Sequence, residues 1–99
     1  MPYFILYSRS WCHLCDDLLQ ALRALVGDAW RIDVVDVDAD PLLVERYDEL
    51  VPVLVGCVPG RPPQALCNYY LNENAVQAFI AGSAAESGLS PLESGKMRS

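Results

Sequence analysis

Ser10-Trp11-Cys12-His13-Leu14-Cys15 is the stretch of this chain whose residue types and spacing suit covalent chemistry. Two cysteines with two residues between them, at a strand-to-helix junction, form the pattern of a dithiol that cycles with a disulfide. The reason is physical. If a helix starts near Cys12, that sulfur lies beside unpaired backbone N–H groups and the positive end of the helix dipole. A thiolate is favoured there, and the thiolate is the nucleophile. Cys15 follows nearly one turn later, within reach of the same sulfur. Cys12 therefore reads as the attacking thiol and Cys15 as the resolving thiol. Half of a zinc site has the same spacing, as do two inert buried thiols. The strand before the pair and the helix after it favour the redox reading.

Those flanking elements are legible. Tyr3-Phe4-Ile5-Leu6-Tyr7 is a continuous apolar run, bounded by Ser8-Arg9-Ser10, and suits a central strand buried on both faces. Leu14, Leu18, Leu22 and Leu25 then recur at helical spacing, and Gly27-Asp28 ends that helix. Trp30 to Val37 alternates as a second strand, which the βαβ rule makes parallel to the first. Asp40-Pro41 is a helix start, with Asp40 as N-cap and Pro41 at the first helical position. Val51-Pro52-Val53-Leu54-Val55 reads as a third strand that opens on a proline. The turn-rich run Val58 to Pro63 leads into a fourth, antiparallel strand over Ala65 to Tyr70. Asn72 caps a last helix, and Leu71 can staple to Val76. After Gly82 the composition turns to Ser, Gly, Ala and Glu. The expected organisation is one domain over residues 1–82 and a disordered tail over 83–99.

Composition narrows the function. With 99 residues, 53% of them apolar, the chain makes one small domain with a compact core. The four cysteines do not form the dense framework of a secreted disulfide scaffold. No signal peptide or apolar stretch long enough for a membrane span is visible, so a cytoplasmic location is expected, where such dithiols are kept reduced. A net charge of −6 argues against nucleic acid as a partner. Cys57 and Cys67 could face each other across a hairpin; they read as two packed thiols in a reducing compartment.

Taken together, these motifs resemble the thioredoxin fold, and within it the glutaredoxins. Tyr7-Ser8-Arg9-Ser10-Trp11-Cys12-His13-Leu14-Cys15 resembles the glutaredoxin active-site run, and Val51-Pro52 the cis-proline step that faces the dithiol there. Small bacterial glutaredoxin-like proteins share Tyr-Ser-Arg, Cys-His-Leu-Cys, Val-Asp-Val-Asp and the stretch that here is Leu66-Cys67-Asn68-Tyr69. The resemblance implies an α/β, thioredoxin-like fold: a four-stranded mixed sheet in chain order β-α-β-α-β-β-α. It implies a thiol–disulfide oxidoreductase with catalytic Cys12 and Cys15, and with Arg9, Trp11, His13, Val51 and Pro52 at the substrate. Arg9 would meet a glutathione carboxylate and lower the Cys12 pKa. Trp11 would form an apolar platform, His13 would tune the thiolate modestly, and Pro52 would present the Val51 backbone to an extended substrate.

No cofactor or metal is required on this reading. Glutathione or a thioredoxin-type reductase would restore the dithiol of a monomer that acts on disulfide-containing proteins or small thiols. Cys-His-Leu-Cys stands where glutaredoxins usually have Cys-Pro-Tyr-Cys. Tyr69 and Tyr70 stand where they carry a glycine pair beside the γ-glutamyl end of glutathione, which predicts weak glutathione recognition. Two alternatives use the same residues: an iron–sulfur or metal carrier that employs Cys12, and a non-catalytic thioredoxin-fold interaction module.

Overall fold

A strand needs partners on both edges to sit at the centre of a sheet, and the first apolar run has them. The computed structural model of the chain describes residues 1–86. Strand β1 (Tyr3–Ser8) lies between β2 (Ile32–Asp36), which runs parallel to it, and β3 (Val53–Cys57), which runs antiparallel. Strand β4 (Gln64–Asn68) pairs antiparallel with β3, giving the order β2-β1-β3-β4. Helix α1 (His13–Val26) connects β1 to β2. A 3-10 turn (Val37–Ala39) and α2 (Pro41–Tyr47) connect β2 to β3, and α3 (Glu73–Glu86) closes the described chain.

Alternation along the strands separates two apolar clusters. Phe4, Leu6 and Leu54 face α1 and α3, where they meet Leu18, Leu22, Val76 and Phe79. Leu22, Phe4 and Val76 are fully enclosed. Burying each such side chain contributes about 1.5–3 kcal/mol before chain entropy is set against it. Trp30 seals the cluster, its ring 5.1 Å from that of Phe4 and 6.3 Å from that of Phe79. On the opposite face Val53, Val55 and Cys57 pack with Tyr3, Ile5, Tyr7 and Tyr47. This second face of β1 is only half-buried, which corrects the expectation of a strand enclosed on both sides. The short α2 supplies one large ring there, Tyr47 stacked 4.5 Å from Tyr7.

The helix ends follow local chemistry. The Gly27 N–H closes on the Arg23 carbonyl at 2.8 Å with φ at 79°, a backbone region open to glycine at little cost. The Asp40 carboxylate accepts the Leu42 N–H at 2.9 Å, and the Asn72 side chain accepts the Ala75 N–H at 3.1 Å. Leu71 packs against the cluster that holds Val76. Several boundaries differ from expectation: the second strand covers Ile32–Asp36 rather than Trp30 to Val37, and Val37 starts a 3-10 turn. The third strand starts at Val53, because Pro52 supplies no ladder N–H and its peptide bond is cis. The fourth strand ends at Asn68, because Tyr69 leaves the extended region. Helix α3 continues past Gly82 to Glu86 and buries Ser83, so the expected tail does not begin at Ser83. The rest of that stretch, 87–99, lies outside the described residues.

Candidate active site

The parallel pairing of β1 and β2 and the antiparallel pairing of β1 and β3 bring three loops to one end of the sheet. Ser8 is level with Asp36, and Tyr7 is level with Val53. The chain after β1, the turn after β2 and the loop before β3 are therefore neighbours.

At that end the chain turns through Trp11, whose φ is 62° and whose side chain is fully exposed. Cys12 follows in an extended conformation and serves as the N-cap of α1. Its Sγ accepts the Cys15 N–H at 3.1 Å, and its carbonyl accepts the Asp16 N–H at 3.3 Å. Sulfur thus takes the place of the usual capping oxygen, at the positive end of the helix. Cys12 and Cys15 are joined as a disulfide, with Cα atoms 5.2 Å apart. Cys12 is half-buried and Cys15 is buried. Attack from solvent can therefore reach Cys12, while Cys15 lies behind it. His13 is exposed on the first turn.

The Val51–Pro52 peptide bond is cis, as the resemblance implied. Pro52 is fully buried and Val51 half-buried. Because Val53 pairs with Tyr7, Pro52 lies at the sheet end where β1 runs toward Cys12. Tyr69 adjoins it, its N–H donating to the Pro52 carbonyl at 2.9 Å. Tyr69, Tyr70 and Leu71 then form one wall of a cleft of about 190 Å³ against Leu14, Asp17, Leu18 and Ala21 of α1. A cavity of about 270 Å³ lies elsewhere, between the β3–β4 hairpin and α3 (Gly56, Val58, Gln64, Phe79), at the sheet end opposite the disulfide.

Arg9 is engaged within the protein. Its guanidinium donates to Asp38 at 2.9 and 3.3 Å, to the Asp48 carboxylate at 3.0 Å and to the Asp48 carbonyl at 3.2 Å. The hydrogen bond it donates to Asp38, then that to Asp48, holds its proton more firmly than usual. Asp38 and Asp48 were not read as site residues. The signal was present in part: with β1 and β2 parallel, the Asp-Val-Asp end of the second strand must lie beside the residues that follow the first.

Cys57 and Cys67 are free thiols. Cys67 is level with Leu54, while Cys57 lies beyond the last paired position, Gly56 with Gln64. Cys57 belongs to the smaller cluster and Cys67 packs against the larger, so they do not face each other. Burial pushes the Cys67 thiol up from its ordinary value. Among the described residues, no three His, Cys, Asp or Glu side chains converge as a metal site. None of the described helices is long and apolar enough to cross a membrane.

Residues 4–81 match the family described as glutaredoxin-like domain (DUF836). The chain belongs to that family. This glutaredoxin-like domain superposes on a Nitrosomonas europaea protein solved in solution, with a TM-score of 0.68 and 29% identity over 79% of this chain and 89% of that one. An X. campestris protein solved by X-ray has a TM-score of 0.59 and 26% identity, covering 80% of this chain and 96% of that one. Mitochondrial thioredoxin 3 of Saccharomyces cerevisiae, in its oxidised form, has a TM-score of 0.61 at 20% identity, over 82% and 77% of the two chains, and shares the thioredoxin fold. No functionally curated protein matches. Family and fold together support a redox role for the glutaredoxin-like dithiol.

Proposed function

We propose that this glutaredoxin-like protein is a thiol–disulfide oxidoreductase in which Cys12 exchanges with substrate disulfides and Cys15 resolves. The observation that carries the reading is the asymmetry of the pair. Cys12 is half-exposed at the N-cap with an N–H on its sulfur, and Cys15 is buried one turn behind it. In the reduced protein, the Cys12 thiolate attacks one sulfur of a substrate disulfide. The substrate S–S bond breaks, a Cys12–substrate bond forms, and the departing sulfur takes up a proton. Cys15 then loses its proton and attacks Cys12 Sγ. The second substrate thiol leaves, and the Cys12–Cys15 disulfide remains. The substrate has gained two electrons from the protein and two protons, one from Cys15 and one from solvent.

An external thiol or dithiol, either glutathione or a thioredoxin-type reductase, must return the electrons. Trp11 and His13, both exposed beside Cys12, serve the partner, and the cis Val51–Pro52 step offers an edge to an extended chain. Arg9, tied to Asp38 and Asp48, has little left for a glutathione carboxylate. The natural substrate on this reading is a protein disulfide, met by a cytoplasmic monomer. The test is a Cys15→Ser variant incubated with an oxidised protein substrate. It should accumulate a covalent adduct at Cys12, visible by mass spectrometry and reversed by dithiothreitol. If no adduct forms, the reading is wrong.

A further inference from the structure

The loop that leads into the cis-proline is held from both sides, and its holders were not all read as site residues. From the β1 side, Arg9 donates to the Asp48 carbonyl at 3.2 Å while its other nitrogens grip Asp38 and the Asp48 carboxylate. From the β4 side, the Tyr69 hydroxyl donates to the Glu49 carbonyl. The Tyr69 N–H donates to the Pro52 carbonyl at 2.9 Å. Consecutive carbonyls, 48 and 49, are thus taken by side chains from opposite flanks, and the loop's far end is taken by Tyr69's own backbone. Inside the loop, the Leu50 N–H closes on the Tyr47 carbonyl at 2.8 Å.

Tyr69 has a φ of 66°, a region that non-glycine residues visit only in a few per cent of cases. Such a conformation persists where the surroundings over-determine it. Here two bonds do so, one at the N–H and one at the hydroxyl, and both end on the same loop. A residue held this way orients its partners as much as they orient it.

We propose that Tyr69 and Arg9 are positioning residues that brace the 48–52 loop, so that the Val51–Pro52 edge is preformed for an extended, disulfide-bearing peptide. This rests on the oxidoreductase reading above. The brace acts on how substrate is held, not on the sulfurs. A small disulfide that reaches Cys12 without lying along the edge is indifferent to it. Preorganisation of this kind lowers the cost of ordering the edge when substrate binds.

Tyr69→Phe removes the hydroxyl and keeps the ring. Removing one hydrogen bond of ordinary strength is worth about three- to tenfold in an equilibrium. The KM for a disulfide-linked extended peptide should rise by that factor. The kcat on the peptide and the rate on bis(2-hydroxyethyl) disulfide should stay as in the wild type. Hydrogen exchange at the amides of Leu50, Val51 and Val53 should quicken by a similar factor. Arg9→Lys, which cannot bridge two carboxylates and a carbonyl at once, should shift KM and exchange the same way. Tyr69→Gly relaxes the backbone but lacks the hydroxyl, so it should behave like the phenylalanine variant. Unchanged KM and exchange in Tyr69→Phe would overturn the brace, as would equal losses on peptide and small disulfide, or wild-type KM in Tyr69→Gly. If the wild-type protein turns over neither disulfide, the oxidoreductase reading falls, whatever the exchange rates show.

Discussion

The molecule holds two pairs of cysteines, one at a helix start and one on the paired strands β3 and β4, and they behave as different chemical objects. Cys12 and Cys15 share a helix start, where a three-residue step brings two sulfurs together and one backbone N–H points at the outer sulfur. Cys57 and Cys67 sit on adjacent strands, where register decides proximity. The register puts Cys67 level with Leu54 and leaves Cys57 at the hairpin end, in the other cluster. A helix start makes a pair of thiols reactive through its unpaired N–H groups and its dipole. On β4 burial favours the neutral Cys67 thiol and outweighs the opposing backbone hydrogen bond with Asn72. The other groups divide in the same way. The dithiol end carries Arg9, the cis-proline and two exposed tyrosines; the hairpin end carries Gly56 under Phe79, and Tyr3 beside Cys57, whose proximity raises the phenol's pKa.

The largest expected effect tests whether chemistry is confined to the helix-start pair. Cys12→Ser should bring reduction of a small disulfide down to the uncatalysed rate, while Cys57→Ser and Cys67→Ser keep it. Peptide mapping of the oxidised wild type should show Cys12 joined to Cys15 and the other two thiols free. A Cys57–Cys67 bond as the main product would erase the contrast.

A smaller effect sharpens what the dithiol end recognises. With Arg9 committed to two aspartates and Tyr69 and Tyr70 in place of a glycine pair, a glutathione mixed disulfide lacks a charge-assisted contact. Such a contact is commonly worth about ten- to a hundredfold. Side-by-side kinetics should find turnover of a glutathionylated substrate slower than that of an ordinary glutaredoxin by that order. Equal rates would mean that the tyrosines replace the missing contacts.

The next effect belongs to the hairpin end. A Cβ on Gly56 would stand 2.7 Å from the Phe79 ring, so Gly56→Ala forces the ring, and α3 with it, to move. Overpacking of this kind costs about 1–3 kcal/mol. Urea denaturation should show that loss, and the Cys12 labelling rate of the folded fraction should stay unchanged. The smallest effect is one of pH. Cys12 should be the first thiol alkylated near pH 6, and Cys67 should need alkaline solution, because burial raises its pKa and leaves less thiolate at any given pH. Equal labelling at pH 6 would sink the assignment of Cys12 as nucleophile.

What was legible in the sequence was local. The capping roles of Asp40 and Asn72, the glycine at Gly27 and the helix start at Cys12 each depend on neighbours a few residues away, and the structure bears them out. The parallel pairing of β1 with β2 and the antiparallel pairing of β3 with β4 followed from the order of elements. The brace on the 48–52 loop did not, because Arg9 meets Asp38 and Asp48 across 29 and 39 residues, and nothing in the local pattern names those partners. The length of α3 was misjudged for a different reason. Ser83-Ala84-Ala85-Glu86 looks like tail by its small and polar residues, yet Ala and Glu are strong helix formers and Ser83 returns its hydroxyl to the Phe79 carbonyl at 2.9 Å.

Trp11 and Trp30 are the chain's two tryptophans, and their contrast gives the protein a built-in optical gauge. Trp11 stands wholly in water beside the disulfide, so its fluorescence starts at long wavelength and moves to the blue when a docking chain covers the indole. Trp30, wedged against Phe4 and Phe79, starts toward the blue and moves to the red when the core opens. Docking and unfolding therefore shift the emission of this protein in opposite directions, and a single titration can tell a captured partner from a damaged fold.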